Sequence, residues 1–242
     1  VVLHGLFGSG RNWMTVSRRL ADRYRVLAPD LRNHGTSPWS PVHTYEAMAG
    51  DIVAVLEERS PGPAALVGHS MGGKAAMLVA LRRPDLVDRL VVVDVAPVAY
   101  ESGFGAYTEA MAEADLDGVT RRAEVDAQLA SAVPAPGVRA FLLQNLVLDR
   151  DGARWRVNLP VLEAAMPTIS GFPAVAAGTS YNGPALFVAG GRSDYVRREH
   201  AEAVMTLFPR AEVAIVPEAG HWVHAERLED FLAVLEPFLA DS

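Results

Sequence analysis

The stretch Val67-Gly68-His69-Ser70-Met71-Gly72-Gly73 constrains the fold more than any other part of the chain. An apolar run from Ala64 to Val67 leads into it and a small-residue stretch from Ala75 to Leu81 leads out, so it reads as strand, turn and helix. The turn has the pattern small-x-Ser-x-small of a nucleophile elbow, in which glycines flank the serine because its strained backbone leaves no room for neighbouring side chains. A serine so placed carries its Oγ above the sheet. The helix that follows puts free N–H groups and a positive dipole end beneath that oxygen, where developing negative charge is stabilised. Ser70 is therefore a candidate nucleophile.

The same residues nearly spell a phosphate-binding loop, because Gly68-x-x-x-x-Gly73-Lys74 is followed by Ala75, and Leu90-Val91-Val92-Val93-Asp94 imitates a magnesium-binding strand. Such a loop needs a hydroxyl after its lysine to hold the metal, and Ala75 has none. A second glycine-rich loop, His4-Gly5-Leu6-Phe7-Gly8-Ser9-Gly10, follows the apolar Val1-Val2-Leu3. A dinucleotide site is weighed there, with Asp30 about twenty residues on, but Gly5-x-x-Gly8-x-Gly10 reverses the usual spacing. The better reading is that His-Gly-x-Phe sets a backbone N–H, that of Leu6, opposite the serine. With the N–H of Met71 it would form an oxyanion hole.

A chain of 242 residues suffices for one large α/β domain and would bury roughly 70% of its unfolded surface. No apolar run approaches the length of a membrane span, so a soluble protein is expected. The net charge of −7 disfavours a nucleic-acid partner held through phosphates and suits a small-molecule enzyme. With no cysteine there is no disulfide, thiolate ligand or cysteine nucleophile, which is compatible with the cytoplasm, the expected location. The chain opens on an apolar run without a methionine, and an earlier piece is expected to be missing.

Strands are predicted at Val1–Leu3, Tyr24–Pro29, Ala64–Val67, Leu90–Val93, Ala185–Ala189 and Glu212–Val216, and helices at Asn12–Ala21, Tyr45–Glu58 after an N-capping Thr44, Ala75–Leu81, Arg197–Leu207 and Arg227–Leu239. Strand-helix alternation with near-continuous apolar strands argues for a mostly parallel sheet covered on both faces. The loop Asp30–Pro38 is assigned a structural job. From Pro97 to Asn182 the alternation breaks and helical periods dominate: Phe104–Ala114, Thr120–Ala132, Val138–Val147 and Leu162–Met166, with a turn at Asp149-Arg150-Asp151-Gly152 and a strand-like Arg154–Asn158. This divides the chain into a core of residues 1–96 and 183–242 and a helical cap of residues 97–182. Phe104, Tyr107, Leu142, Leu143 and Trp155 in the cap, joined by Phe7 and Trp222, are candidate substrate-binding residues. Each has the alternative of simply packing the insertion onto the sheet.

A nucleophilic serine needs a base, and His221 follows a strand and the turn Pro217-Glu218-Ala219-Gly220 near the chain end, where it could lean back over Ser70. His224 sits where the last helix begins and is assigned a capping role; no metal site is expected from the pair. His69 is expected to point into the sheet side of the turn. The acid that would orient the histidine is open between Asp94, at the end of the strand after the elbow helix, and Asp194, after Gly190-Gly191-Arg192-Ser193; both keep the order Ser, Asp, His.

His4-Gly-Leu-Phe-Gly-Ser, Arg32-Asn-His-Gly-Thr-Ser-Pro, Gly68-His-Ser-Met-Gly-Gly-Lys, Val93-Asp-Val-Ala-Pro, Trp155-Arg-Val-Asn-Leu and Ala219-Gly-His-Trp-Val-His together resemble the α/β-hydrolase superfamily, within it the small esterase branch of YbfF-type esterases and abhydrolase-domain-11 proteins. The resemblance spans nearly the whole chain. It implies an eight-stranded sheet with a helical cap, hydrolysing small acyl esters or thioesters without a cofactor, and it implies that two strands would precede the His-Gly strand. In that branch the acid is carried by the position matching Asp94, and in many other members of the superfamily by the one matching Asp194.

Overall fold

The structure, a computed structural model, describes residues 1–101 and 104–240. Ser102 and Gly103 of the expected cap, and Asp241 and Ser242 of the expected core, lie outside the described residues. In chain order the elements are β1 (Val2–Leu3), α1 (Met14–Leu20), α2 (Tyr45–Arg59), β2 (Ala64–His69), α3 (Met71–Arg82), β3 (Val87–Val93), α4 (Gly105–Glu113), α5 (Arg122–Leu129), α6 (Pro136–Leu142), β4 (Leu146–Asp149), β5 (Gly152–Trp155), α7 (Leu159–Ala164), α8 (Met166–Ser170), β6 (Ala185–Gly190), α9 (Ala201–Leu207), β7 (Ala211–Val216), α10 (Val223–Glu226) and α11 (Leu228–Ala240).

Strands β1, β2, β3, β6 and β7 form one parallel sheet in that order. Apolar side chains pack against both of its faces. On one, α2 and α3 pack through Met48, Ile52, Leu56, Met77 and Leu81; on the other, α1 and α11 pack through Val16, Leu20, Phe231 and Leu235. The central strands are thus buried on both sides, which explains why their sequences are apolar runs and not alternations. Thr44 caps α2 as its sequence indicates, its hydroxyl oxygen accepting from the Ala47 N–H at 3.2 Å.

Two expectations need correction. Among the described residues the sheet has five strands, and Tyr24–Pro29, expected to be a sixth, is not one of them. That stretch runs beside β1, with the Val2 N–H donating to the Leu27 carbonyl at 2.8 Å, but β1 is two residues long and Pro29 has no N–H, so no ladder develops. Its side chains still pack into the core. The second correction concerns Val138–Val147, read as one helix. The helix is Pro136–Leu142, a 3-10 turn follows, and Leu146–Asp149 then pairs antiparallel with Gly152–Trp155. The Asp149–Gly152 turn was legible; its partner strand was hidden because Leu146, Val147 and Leu148 suit a helix equally well. The period at Leu162–Met166 resolves into two short helices, each with a proline in its first turn.

Between β3 and its neighbour β6 the chain leaves the sheet to form α4 to α8 and the β4–β5 hairpin. Core groups tie the end of this excursion down. The Tyr45 hydroxyl donates to the Ile169 carbonyl at 2.7 Å, the Tyr100 N–H to Ser170 at 3.0 Å, and the Lys74 ammonium to Ser170 and Gly171 at 2.9 and 2.5 Å. Consecutive carbonyls at the end of α8, which have no partner inside the helix, are thereby satisfied.

Five histidines, His4, His34, His43, His69 and His224, are buried. Burial pushes His4 and His43 down to about 4 and His224 down to about 3, and holds His34 and His69 well below the ordinary histidine value. The unfolded chain therefore binds more protons than the folded one from about pH 6.5 down to about pH 4, so stability rises with pH across that window. Each such histidine adds about 1.4 kcal/mol per pH unit to the slope while the two states differ by one proton. The urea midpoint should accordingly be much lower at pH 5 than at pH 7.5. A midpoint that is flat over this range would contradict neutral burial of these side chains.

Candidate active site

The elbow forms as its glycines require. Ser70 has φ 52° and ψ −119°, a left-handed backbone that is strained for a residue with a side chain. A Cβ at Gly68 would lie 2.4 Å from the Gly72 carbonyl oxygen, and one at Gly72 would lie 2.5 Å from that of His4. The end of β2, the start of α3 and the end of β1 therefore meet at distances only glycine allows. Ser70 and Met71 border a small cavity of about 30 Å3, with Leu6, Tyr100, Phe104 and Tyr195 among its other walls.

The glycine-rich loop after β1 is held by imidazoles. The Phe7 N–H donates to Nε2 of His34 at 3.1 Å and the Leu31 N–H to Nε2 of His4 at 2.9 Å, while Nδ1 of His4 donates to the Gly5 carbonyl at 2.8 Å. Asp30, weighed as a ribose-binding acid, instead accepts from the Gly10 N–H at 2.8 Å and from Thr36, as a structural loop residue does. A Cβ at Gly10 would lie 2.2 Å from the Ala28 carbonyl, so this glycine serves close packing and not a phosphate cradle. Among the described residues, neither the Leu6 nor the Met71 N–H donates to a protein acceptor. Both residues are buried beside Ser70, leaving two donors available at one place.

His221 and Asp94 come together. The His221 Nδ1–H donates to Asp94 Oδ2 at 2.8 Å. The fully buried Asp94 carboxylate also accepts from the Gly190 N–H at 2.9 Å and from the Ser193 hydroxyl. The reserve acid is elsewhere: the Asp194 side chain is 86% exposed and faces Arg197 at 3.5 Å. Gly190 packs closely against the loop that carries His221: a Cβ there would lie 2.3 Å from the Gly220 carbonyl. That close approach lets the loop after β7 cross the end of β6 and reach the acid on β3. The turn after β6 then contributes Ser193, and Asp194 points outward. Ser193 was missed by sequence reasoning, and nothing in a lone serine beside two glycines distinguishes it.

His69 does more than fill the turn: its Nε2–H donates to the His221 carbonyl at 2.8 Å, tying the residue beside Ser70 to the backbone of the distant histidine. The His221 ring lies against Tyr195, with centroids 4.2 Å apart, and 6.1 Å from Phe104. Both aromatic residues are walls of the Ser70 cavity. Among the described residues the Ser70 hydroxyl donates no hydrogen bond. The capping role assigned to His224 is corrected: it is buried and stacks on Trp13 at 4.2 Å. No cluster of metal-ligating side chains occurs among the described residues. Lys74 is buried one helical turn from Ser70 over the Tyr100 ring, and burial lowers its pKa to about 7. Its ammonium is engaged with carbonyls, which argues against a phosphate-binding role.

The candidate pocket residues separate. Phe104 borders the Ser70 cavity and Tyr107 packs on Phe104. Leu142 is in the core, and Trp155 donates from Nε1 to the Met111 carbonyl at 2.8 Å while packing inside the excursion. Phe7 and Leu143 border a different, larger cavity, and Trp222 sits in a groove with Phe141. The wall residues that sequence reasoning missed include Tyr100, Met166, Ile169 and Tyr195, since an apolar residue gives no sign of which way it will face.

With this geometry, a sequence profile of the alpha/beta hydrolase family matches residues 1–234, and the chain belongs to that family. Among its relatives, mouse sn-1-specific diacylglycerol lipase ABHD11 is 44% identical over 99% of this chain and 80% of its own length. Esterase YbfF of Escherichia coli K12 is 38% identical over all of this chain and 92% of its own. A solved structure described as a marine microorganism esterase superposes with a TM-score of 0.94, at 32% identity over 98% of this chain and 93% of that one. Among the described residues no helix is long and apolar enough to cross a membrane.

The two acids give a direct prediction. Asp94→Asn should lower kcat by about ten-thousandfold, the scale of the corresponding change in a serine protease, whereas Asp194→Asn should retain activity within a few-fold. Removing the Ser193 hydroxyl should cost about tenfold, as expected for a hydrogen bond to a charged group. Steady-state rates of the three purified variants check this, and a larger loss in Asp194→Asn than in Asp94→Asn would contradict it.

Proposed function

We propose that the chain is a serine esterase acting on small acyl esters, thioesters included. The observation that carries this is the Asp94–His221 hydrogen bond at 2.8 Å, together with a cavity bordered by Ser70, Leu6 and Met71, the last two having N–H groups without a protein acceptor among the described residues. The names of the relatives, esterases and a lipase, support the same class.

The steps follow from this arrangement. The Ser70 hydroxyl turns onto Nε2 of His221, which takes its proton as the Oγ attacks the substrate carbonyl. Asp94 accepts from Nδ1, fixes the tautomer that leaves Nε2 free to receive a proton, and stabilises the imidazolium that forms. Negative charge on the carbonyl oxygen is met by the Leu6 and Met71 N–H groups, at the N-terminus of α3. Return of the proton to the leaving alcohol or thiol leaves an acyl group on Ser70, and water activated by the same histidine releases it. Residues 97–182 act as a cap that supplies apolar walls through Tyr100, Phe104 and the α8 residues Met166 and Ile169.

The cavity beside Ser70 is about 30 Å3, far below the few hundred Å3 of a site for a drug-sized ligand. Its walls are large side chains tied to the core through Lys74, Tyr45 and Tyr100. Short acyl groups fit this space best. On a panel of p-nitrophenyl esters, kcat/KM for acetate should exceed that for octanoate by roughly tenfold or more, within the range that methylene discrimination supplies. Equal rates along the series would contradict the short-chain assignment, and no turnover of any ester would contradict the esterase.

A further inference from the structure

The Leu6-Phe7 turn separates two cavities. Leu6 borders the small one at Ser70, and Phe7 borders one of about 550 Å3 between the glycine-rich loop and the excursion. Three arginines from three separate segments border the larger: Arg11 from the turn before α1, Arg122 from the start of α5 and Arg156 from the link after β5. Arg122 uses one terminal nitrogen on the Leu143 and Leu146 carbonyls, at 2.9 and 2.6 Å, and its other terminal nitrogen has no partner among the described residues. Neither the Arg11 nor the Arg156 side chain has a hydrogen bond or ion pair among the described residues, and Arg156 is half-buried. The carboxylate in the wall, Asp126, is already engaged by Arg139 at 2.8 Å.

This is a positive concavity on a chain of net charge −7. A half-buried arginine without a counter-charge can gain more from an anion than a fully solvated one does. Guanidinium forks fit phosphate oxygens bidentately. Three such residues on one cavity suit a multiply charged phosphate better than a carboxylate, which a single arginine would satisfy. Ser9 and Gln144 add neutral polar groups to the wall.

We propose that this cavity binds a phosphate group, held by Arg156 with Arg11 and Arg122. Resting on the esterase reading, the phosphate belongs to the leaving group of the acyl substrate, as in an acyl-coenzyme A thioester, whose acyl end would reach Ser70 past the Leu6-Phe7 turn. A free phosphate is the other source of the same chemistry.

The test uses calorimetry on the whole chain with coenzyme A and, separately, inorganic phosphate, in the native protein and in Arg156→Gln and Arg11→Gln. It is paired with kinetics on acetyl-coenzyme A and p-nitrophenyl acetate. Coenzyme A should bind at least tenfold more weakly to Arg156→Gln. The KM for acetyl-coenzyme A should rise at least tenfold relative to the KM for p-nitrophenyl acetate on the same variant. Inorganic phosphate that binds as tightly as coenzyme A, and is weakened equally by the substitution, would assign the cavity to free phosphate. Affinities for both ligands that are unchanged in both variants would overturn the proposal. Arg11→Gln, altering an exposed side chain, keeps the test decisive should Arg156→Gln fold poorly. Failure of the native protein to cleave p-nitrophenyl acetate would count against the esterase alone, because the calorimetry judges the cavity without turnover.

Discussion

The close contact at Gly68, Gly72 and Ser70 is the constraint on which the rest of the site depends. A serine held at φ 52° carries a strain of about 1 to 3 kcal/mol, and it persists because β2, α3 and the end of β1 are packed too tightly for the backbone to relax. The same packing brings the glycine-rich loop against the elbow: a Cβ at Gly5 would lie 2.9 Å from Nδ1 of His69 and 3.2 Å from Cβ of Ser70. One steric arrangement thus fixes the serine, with the Leu6 and Met71 N–H groups unpaired among the described residues beside it. Positioning such donors before a substrate arrives is what makes them effective against developing charge.

Around this contact the protein places imidazoles as neutral hydrogen-bonding struts. His34 and His4 hold the glycine-rich loop, and His69 holds the His221 backbone. Each is kept neutral by burial, so each can accept at one nitrogen and donate at the other. His221 alone among the buried or half-buried histidines near Ser70 is bonded to a carboxylate. Under the proposed mechanism, a cation formed at His221 would meet the buried Asp94 carboxylate while the neighbouring His69 and His224 rings stay neutral.

Most of the fold was legible in the sequence because its central strands are apolar on both faces and its turns contain glycine or proline. Thr44, the elbow and the departure from the sheet between β3 and β6 follow from local chemistry. What was not legible depends on tertiary contact. Leu146–Leu148 pairs as a strand because Gly152 turns the chain back on it. His69 and Ser193 are ordinary residues until the loop after β7 crosses β6. Leu142 and Phe104, similar in sequence terms, face the core and the Ser70 cavity respectively. Order along the chain could not show which of Asp94 and Asp194 lies against His221; the structure puts Asp94 there, with Gly190 closely packed against Gly220.

Covalent capture of Ser70 tests the role of this geometry most directly. After treatment with a fluorophosphonate, intact mass should rise by one adduct, peptide mapping should place it on Ser70, and Ser70→Ala should neither label nor turn over an ester. An adduct on another residue, or labelling and activity that survive in Ser70→Ala, would contradict a nucleophile at the elbow.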